Sequence, residues 1–529
     1  MDMLIKASLL FLFFAVMVVI GFACRRHARN VDGFVLGGRS VGPWLTAFAY
    51  GTSYFSAVVF VGYAGQFGWR YGISATWVGI GNALIGSLLA WAVLGRRTRI
   101  MTQHLDSATM PDFFAKRFGS PALKIMAAAI IFIFLIPYTA SLYNGLSRLF
   151  GMAFSIDYTW CVVLMSVLTA IYVIAGGYMA TAINDFIQGI IMLVGLVVVI
   201  WAVLESKGGL LVALDGLARI EGPSVLPGGS PTPGIFTSFL GPEPLNLLFV
   251  VILTSLGTWG LPQMVQKFYA IKNEGSIKKG TIISTLFAFV VAGGCYYLGG
   301  FGRLFSSVLN VTAKGVPADG FDAIIPKMLE GLPSMLIALV VVLVLSASMS
   351  TLSSLVITSS STFTIDFLNG TIVKKMDERK QVLCIRSLIV VFIAISAGLA
   401  LVQYKSTSPI AFIAQMMGVS WGAMAGAFLA PFLYSLYSKK VTAASCWACF
   451  ILAPAFTLVG VFCRDAMPAF LKSPINTGAL AMIGGLVIVP IVNLFSRKPQ
   501  KELVDGAFAC YEKTTVVQQA TALGSETLR

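Results

Sequence analysis

Long apolar runs recur along nearly the whole chain, and they decide what it can fold into. About 20 consecutive apolar residues cross the hydrocarbon core of a bilayer as one helix. Runs of this kind lie at about 2–24, 40–68, 73–95, 122–150, 156–176, 180–204, 244–268, 277–302, 332–366, 382–403, 408–437, 441–463 and 475–496. Only 11% of the residues are charged, against roughly 25% in soluble domains. The sequence therefore predicts an all-α polytopic membrane protein with about thirteen transmembrane helices.

Lysine and arginine residues are distributed unevenly over the connections between these runs. Basic clusters that begin at Arg25, Arg96, Lys267, Lys374 and Lys439 fall on one side, and the other side carries scattered charges. Cytoplasmic loops are enriched in such residues. We therefore expect a multi-pass protein of the cell membrane with its N-terminus outside and its C-terminus in the cytoplasm. This orientation accounts for the net charge of +15, so no nucleic-acid partner is expected.

Two of the predicted spans contain residues that interrupt a helix. Glycine, hydroxyl and aromatic residues replace aliphatic ones around Gly51 in the second span. Gly257, Gly260 and Pro262 do the same in the seventh. These spans are the first members of two successive groups of five, and a matched pair of interrupted helices is typical of an inverted-repeat transporter with a site at mid-membrane.

The spans and connections predict the following division of the chain. It comprises an N-terminal extra helix with an inner loop (1–39), a first inverted repeat (40–204), an extracellular loop (205–243), a second inverted repeat (244–437), two C-terminal helices (438–496) and a cytoplasmic tail (497–529).

The ninth span turns rich in hydroxyl groups in its second half. Ala347, Ser350, Thr351, Ser354 and Thr358 follow helical steps of three and four residues, so they share one face. A line of hydroxyl groups inside a membrane protein offers oxygen ligands to a hard cation such as Na⁺. Close helix packing, with each hydroxyl bonded to its own backbone, is the alternative explanation.

Asp185 is the one carboxylate that the sequence places within a predicted span. A charge there is costly, which favours a functional role. The alternative is that Asp185 lies near the inner end of its helix, where an acid suits the N-terminal dipole. A membrane enzyme would need clustered catalytic side chains at one membrane face, whereas His27 and His104 are far apart. We therefore expect no enzyme, and a sensor is a remote alternative.

Four ordered motifs resemble those of the sodium:solute symporter family, which has the five-plus-five inverted-repeat fold of the leucine transporter. The motifs are Gly37-Gly38-Arg39, Gly176-Gly177 with Asn184-Asp185 and Gln188, Gly260-x-Pro262 with Lys267-Phe268, and Ser350-Thr351-Leu352-Ser353-Ser354. The resemblance implies a symporter that imports a small organic solute with Na⁺ by alternating access. A carrier of the same fold that is coupled to H⁺ or uncoupled is the alternative. We expect the monomer to be the functional unit.

The resemblance also implies ligands for Na⁺. One ion would bind the backbone carbonyls of Thr52, Phe55 and Ala347 and the hydroxyls of Ser350 and Thr351. A possible second Na⁺ would use Asp185, Ser350, Ser353 and Ser354.

The residues expected to line the substrate site are polar or aromatic and lie near the two interruptions. They are Tyr54, Ser56, Ser255, Thr258, Trp259, Gln263 and Gln415. Proline-type members of the family carry an acid in place of Tyr54 and Gln-Pro-His in place of Leu261-Pro262-Gln263, so this chain departs from them. Because few hydrogen-bonding groups converge here, we expect an amino acid or organic acid rather than a sugar.

Overall fold

The computed structural model describes residues 2–154, 156–223, 232–312, 315–373, 376–404 and 413–522, and the side chains of residues 7–511 within these ranges. The first residues of the eleventh predicted span, 408–412, lie outside them. In the described part, β-structure is limited to four isolated bridges. The α-helices are α1 (Asp2–Ala23), α2 (Val31–Leu36), α3 (Pro43–Tyr54), α4 (Ala64–Tyr71), α5 (Thr76–Gly81), α6 (Arg96–His104), α7 (Met110–Phe118), α8 (Pro121–Phe154), α9 (Tyr158–Glu205), α10 (Leu210–Ala218), α11 (Pro244–Gly260), α12 (Pro262–Ala270), α13 (Glu274–Gly300), α14 (Ile324–Leu329), α15 (Ser334–Thr362), α16 (Glu378–Tyr404), α17 (Ile413–Tyr437), α18 (Ala443–Phe462), α19 (Pro474–Phe495) and α20 (Lys501–Ala522).

The all-helical membrane architecture is confirmed, but the count of thirteen spans is not. The described residues contain 10 helical segments long and apolar enough to cross a membrane, or 11 if α11 and α12 form one bent span. The two longest are Val58–His104, with 47 residues, and α9, with 48. Each is about twice the length that a bilayer requires. Each also contains a glycine with left-handed backbone, Gly72 (φ 63) and Gly177 (φ 56).

Two helices are interrupted where the sequence predicts it. α3 ends at Tyr54, and Phe55 is extended with φ −89 and ψ 111. α11 ends at Gly260, Leu261 is extended with φ −80 and ψ 121, and α12 then leaves at 45°. Backbone groups released from a helix at this depth are tolerated only inside the protein or beside a cavity. Both breaks therefore lie where a membrane protein can hold a ligand.

The interrupted helices are enclosed by the hydroxyl-rich helix and by its neighbours. α15 packs against α3, α8, α9 and α16, and every residue from Leu343 to Thr362 is buried. α17 packs against α8, α11, α18 and α19 and is almost completely enclosed. Peripheral helices instead expose large apolar side chains, such as Phe11 on α1 and Leu494 on α19. This pattern puts the hydroxyl groups at the centre of the bundle and apolar groups against lipid.

Ionic contacts fix the far end of the hydroxyl-rich helix. The α-helical part of α15 continues as a π-helical turn, Phe363–Leu368, which carries the buried Asp366. Its carboxylate accepts a hydrogen bond of 2.6 Å from the Thr109 hydroxyl and lies 3.3 Å from the Lys124 ammonium. Lys124 also pairs with Asp112 at 3.2 Å. This end of the helix is thereby tied to α7 and α8.

Candidate sodium and substrate sites

Four oxygen atoms from α3 and α15 meet beside the end of α3. The hydroxyl of Ser350 donates towards the carbonyl oxygen of Thr52 and towards that of Ala347, both at 3.1 Å. The Thr351 hydroxyl lies at the same distance, 3.1 Å, from the same two carbonyls. All four residues are completely buried. The predicted ligands Thr52, Ala347, Ser350 and Thr351 are thus brought together in one place.

The fifth predicted ligand, Phe55, occupies the break itself. Its N–H still donates to the carbonyl oxygen of Gly51 at 3.2 Å, whereas its own φ and ψ are extended. Its carbonyl group therefore does not point along the helix axis, as the carbonyl groups of α3 do. Ser350 and Thr351 are adjacent in sequence, and both reach the same Thr52 carbonyl because α15 crosses α3 at its end. Each hydroxyl contacts its own helix, as the packing explanation predicts, and also the partner helix.

The residues predicted for a second ion form a different arrangement. Asp185 is fully buried, and neither of its carboxylate oxygens has a hydrogen-bond partner among the described residues. The Ser353 hydroxyl donates to the Ser350 carbonyl at 2.9 Å. Ser354 Oγ instead accepts a hydrogen bond of 3.0 Å from the ammonium group of Lys267. The structure therefore places a buried amino group beside Ser354, which was not expected there.

The sequence analysis placed Lys267 at the end of the seventh predicted span, 244–268, and counted it with the cytoplasmic basic residues, so its burial was not expected. It lies on α12 and is only 2% exposed. Basic residues follow it in the chain at Lys272 and Lys278, so it resembled the start of a loop cluster. After the 45° bend at Leu261, α12 runs through the bundle interior, where all its residues are buried. Its place in the Gly260-x-Pro262 motif does not by itself indicate this burial.

Three of the residues expected to line the substrate site face a neighbouring segment. Ser255 Oγ donates to Asn82 Oδ1 at 3.1 Å, and Thr258 Oγ1 donates to the Gly86 carbonyl at 2.9 Å. Trp259 Nε1 donates to the Ile85 carbonyl at 2.9 Å. All three partners belong to the π-helical segment Asn82–Leu89. These contacts join α11 to that segment.

Among the other expected substrate residues, three have buried polar atoms without a hydrogen-bond partner in the described part of the chain, whereas Ser56 has a partner. Tyr54 Oη, both amide atoms of Gln263 and Oε1 of Gln415 are buried without a hydrogen-bond partner in the described residues. Ser56 is the exception, because its hydroxyl accepts the N–H of Val58 at 3.2 Å. Tyr54 is the last residue of α3, directly before the first break. Gln263 is the second residue of α12, directly after the second break.

Two aromatic residues that the sequence analysis did not select complete this region. The Trp421 ring centroid lies 6.4 Å from that of Tyr54 and 6.0 Å from that of Tyr138. Trp421 also packs on Gly257, where a Cβ atom would lie 2.6 Å from the indole ring. Trp421 Nε1 and Tyr138 Oη have no hydrogen-bond partner in the described part of the chain. Trp421 therefore joins both interrupted helices, through a contact that no local sequence motif marks.

Comparison with known proteins places this geometry in a family. The model of the sodium:solute symporter family matches residues 34–452, a range that contains both helix breaks and the hydroxyl-rich helix. The chain belongs to the sodium:solute symporter family. This finding confirms the resemblance and makes the protein a multi-pass transporter of the Na⁺-coupled solute importer class.

Characterised members of the family resemble this symporter over most of its length. The osmoregulated proline transporter of Bacillus subtilis is 28% identical over 493 residues, which cover 93% of this chain and 94% of that protein. A sodium/proline symporter of Staphylococcus aureus is also 28% identical, over 450 residues that cover 82% and 81%.

Solved structures show the same fold. A substrate-bound, outward-open Na⁺-coupled sialic acid symporter superposes with a TM-score of 0.70 at 17% identity, covering 94% of this chain and 99% of that one. MhsT in complex with L-phenylalanine gives 0.52 at 13% identity, covering 85% and 98%. At these identities the likeness concerns the fold.

Proposed function

We propose that this symporter moves a small zwitterionic amino acid, such as proline, into the cell together with Na⁺. The observation that carries the proposal is the meeting of the Thr52 and Ala347 carbonyls with the Ser350 and Thr351 hydroxyls at 3.1 Å. Phe55 supplies the fifth oxygen from the break. Neutral oxygens suit an exchangeable hard cation. The ion acts as the coupling ion of the transport cycle.

Coupling follows from the position of these oxygens on two helices. Thr52 belongs to α3 and the hydroxyl groups belong to α15, so an ion bound between them holds the two helices together. A ligand shifts a conformational equilibrium by its differential affinity for the two states. Na⁺ therefore favours the state in which α3 and α15 are close, and its release towards the cytoplasm permits the return step.

The substrate class rests on the groups around the two breaks. Tyr54, Tyr138 and Trp421 offer three buried donors on an otherwise apolar aromatic surface. A sugar would need more convergent polar groups than these. A small amino acid would place its apolar part against the rings and its carboxylate near Na⁺ and the helix ends. The names of the relatives support proline as the first compound to test.

The experiment is uptake by purified protein in liposomes under an inward Na⁺ gradient, with K⁺ as the matched control. Labelled proline and other small amino acids are compared with lactate and galactose. We expect Na⁺-dependent accumulation of an amino acid, and of neither lactate nor galactose. Accumulation that depends on a pH gradient and is independent of Na⁺ would contradict this proposal and indicate coupling to H⁺. Accumulation of galactose alone would overturn the substrate class.

A further inference from the structure

The amino group of Lys267 lies beside Ser354, one of the residues predicted to bind a second sodium ion. Its side chain is 2% exposed. Nζ donates to Ser354 Oγ at 3.0 Å and stands 5.0 Å from the centroid of the Tyr178 ring. An ammonium over an aromatic face is attracted by the ring. The Lys267 amino group is thus held by a hydroxyl group from α15 and an aromatic ring from α9.

Asp185 supplies the opposite charge in the same region. Its carboxylate is completely buried, has no hydrogen-bond partner among the described residues and forms no contact ion pair with them. The basic group that acts on it electrostatically is Lys267. A buried charge is tolerated when an opposite charge compensates it. Asp185 and Lys267 together make the interior of this region neutral.

The hydroxyl groups predicted for the second ion are also engaged. The Ser53 hydroxyl donates its hydrogen to the Ala49 carbonyl. In the 2.8 Å hydrogen bond between the Ser53 and Ser354 hydroxyls, Ser354 is therefore the donor. Ser354 then donates to Ser53 and accepts from Lys267. The Ser353 hydroxyl donates to the Ser350 carbonyl. A second Na⁺ would have to displace this network and stand beside a like charge.

We propose that the ammonium of Lys267 is a tethered cation that takes the place of a second Na⁺, so that the symporter binds a single Na⁺ per chain. This inference rests on the proposed function, because it assumes the first Na⁺ site at Ser350 and Thr351. In this proposal Asp185, Ser353 and Ser354 surround the Lys267 ammonium instead of binding a second Na⁺.

Equilibrium binding of ²²Na⁺ to the purified full-length protein tests this assignment without knowledge of the substrate. We expect one saturable site per chain in the wild type. Lys267→Gln removes the charge and should admit a second ion, giving two sites. Asp185→Asn added to Lys267→Gln should restore one site. Lys267→Arg keeps the charge and is the matched control, with one site expected.

The outcomes separate the two proposals. Two Na⁺ ions bound by the wild type would overturn the tethered-cation assignment and leave Na⁺ coupling intact. One site in a folded Lys267→Gln protein would also overturn it. No ²²Na⁺ binding by the folded wild type would instead refute the Na⁺ site of the proposed function.

A second, independent observation concerns a strongly basic cleft at the junction of α1 and α16. The cleft has a volume of about 680 Å³ and is lined by five arginines: Arg25, Arg26, Arg29, Arg379 and Arg386. Among the described residues none of them forms an ion pair. Arg25 is close enough to repel Arg386 electrostatically, and Arg386 Nε is buried without a hydrogen-bond partner. The cleft therefore presents positive charge that no acidic side chain of the described residues pairs.

The chemistry of the walls indicates which anion fits. Phe22 and Leu383 also line the cleft and are 56% and 65% exposed, on helices that face lipid. Guanidinium groups bind phosphate oxygens in a bidentate manner, and basic pockets between membrane helices are typical sites for anionic headgroups. We infer that the cleft binds the phosphate headgroup of an anionic phospholipid, with its acyl chains along Phe22 and Leu383.

Thermal unfolding of the detergent-purified protein tests the cleft. Phosphatidylglycerol should raise the unfolding temperature, whereas phosphatidylcholine and millimolar inorganic phosphate should not. The triple variant Arg26→Gln/Arg29→Gln/Arg379→Gln should lose the response, and Lys278→Gln/Lys279→Gln, a basic pair elsewhere on the surface, should keep it. An equal response to inorganic phosphate would assign the cleft to a free anion. If phosphatidylglycerol stabilised the triple variant as much as the wild type, the cleft would not be its binding site.

Discussion

Ser350 on α15 donates a 3.1 Å hydrogen bond to the carbonyl oxygen of Thr52, which lies 298 positions earlier, at the end of α3. A hydroxyl group in a membrane helix commonly bonds to a carbonyl of its own helix. Ser350 makes that bond and also the bond to α3. The end of α3 is therefore attached to α15 at the point where its own helical ladder stops.

Removing both hydroxyl groups should weaken Na⁺ binding at the proposed site and keep the fold. In Ser350→Ala/Thr351→Ala the cation loses two of its five oxygen ligands, each contributing about 1.5–3 kcal/mol to a charged group. We expect the dissociation constant of Na⁺ to rise at least about tenfold, as measured by ²²Na⁺ binding. The thermal unfolding of the variant in the absence of Na⁺ should stay close to that of the wild type.

The matched control is Ser359→Ala on the same helix. Its hydroxyl is equally buried but bonds only to the carbonyl of Val356 at 3.2 Å. Na⁺ affinity should be unchanged in this variant. Equal losses in the control and in the double variant would show that α15 as a whole, rather than the two hydroxyls, determines Na⁺ binding.

The sequence determined this part of the molecule well because its signals are local. Gly51 and Pro262 mark the helix breaks, and helical spacing puts Ser350 and Thr351 on the face of Ala347. The position of Lys267 could not be obtained in this way. It depends on the 45° bend after Gly260, which turns α12 inwards. Trp421 was missed for a related reason, since its contacts with Tyr54, Tyr138 and Gly257 join helices distant in sequence.

The close approach of α3 to α13 should make Gly51 intolerant of a side chain. A Cβ atom at this position would lie 2.4 Å from Cδ1 of Phe287. Gly51→Ala therefore overpacks the interface at a cost of about 1–3 kcal/mol. We expect a lower unfolding temperature in detergent, measured by fluorescence-detected size exclusion after heating.

A second variant distinguishes steric overlap from a general loss of helix flexibility. Phe287→Leu makes room for the new methyl group, so Gly51→Ala/Phe287→Leu should be more stable than the sum of the single changes predicts. Strictly additive losses would contradict the contact between these two residues as the cause.

The orientation of the chain stays a prediction that a natural cysteine can test. Cys463 follows α18 and is the exposed member of the eight cysteines, of which Cys384 is half-buried and the others are buried. With the N-terminus outside, the connection between α18 and α19 lies outside. A membrane-impermeant maleimide should therefore label intact cells, and Cys463→Ser should remove the label. Labelling that requires opened membranes would reverse the orientation.

The Tyr54 hydroxyl should contribute to substrate binding rather than to the fold. It is buried without a hydrogen-bond partner among the described residues, between the break of α3 and the ring of Trp421. Tyr54→Phe leaves the ring in place and removes one donor, so its stability should match that of the wild type. If the group meets the substrate, the KM for uptake rises up to about tenfold. Tyr50→Phe is the matched control, because the Tyr50 hydroxyl already donates to the carbonyl of Gly86 at 2.8 Å. Its loss should lower the unfolding temperature and leave KM unchanged, and a reversed result would place the substrate at Tyr50, one turn earlier on α3.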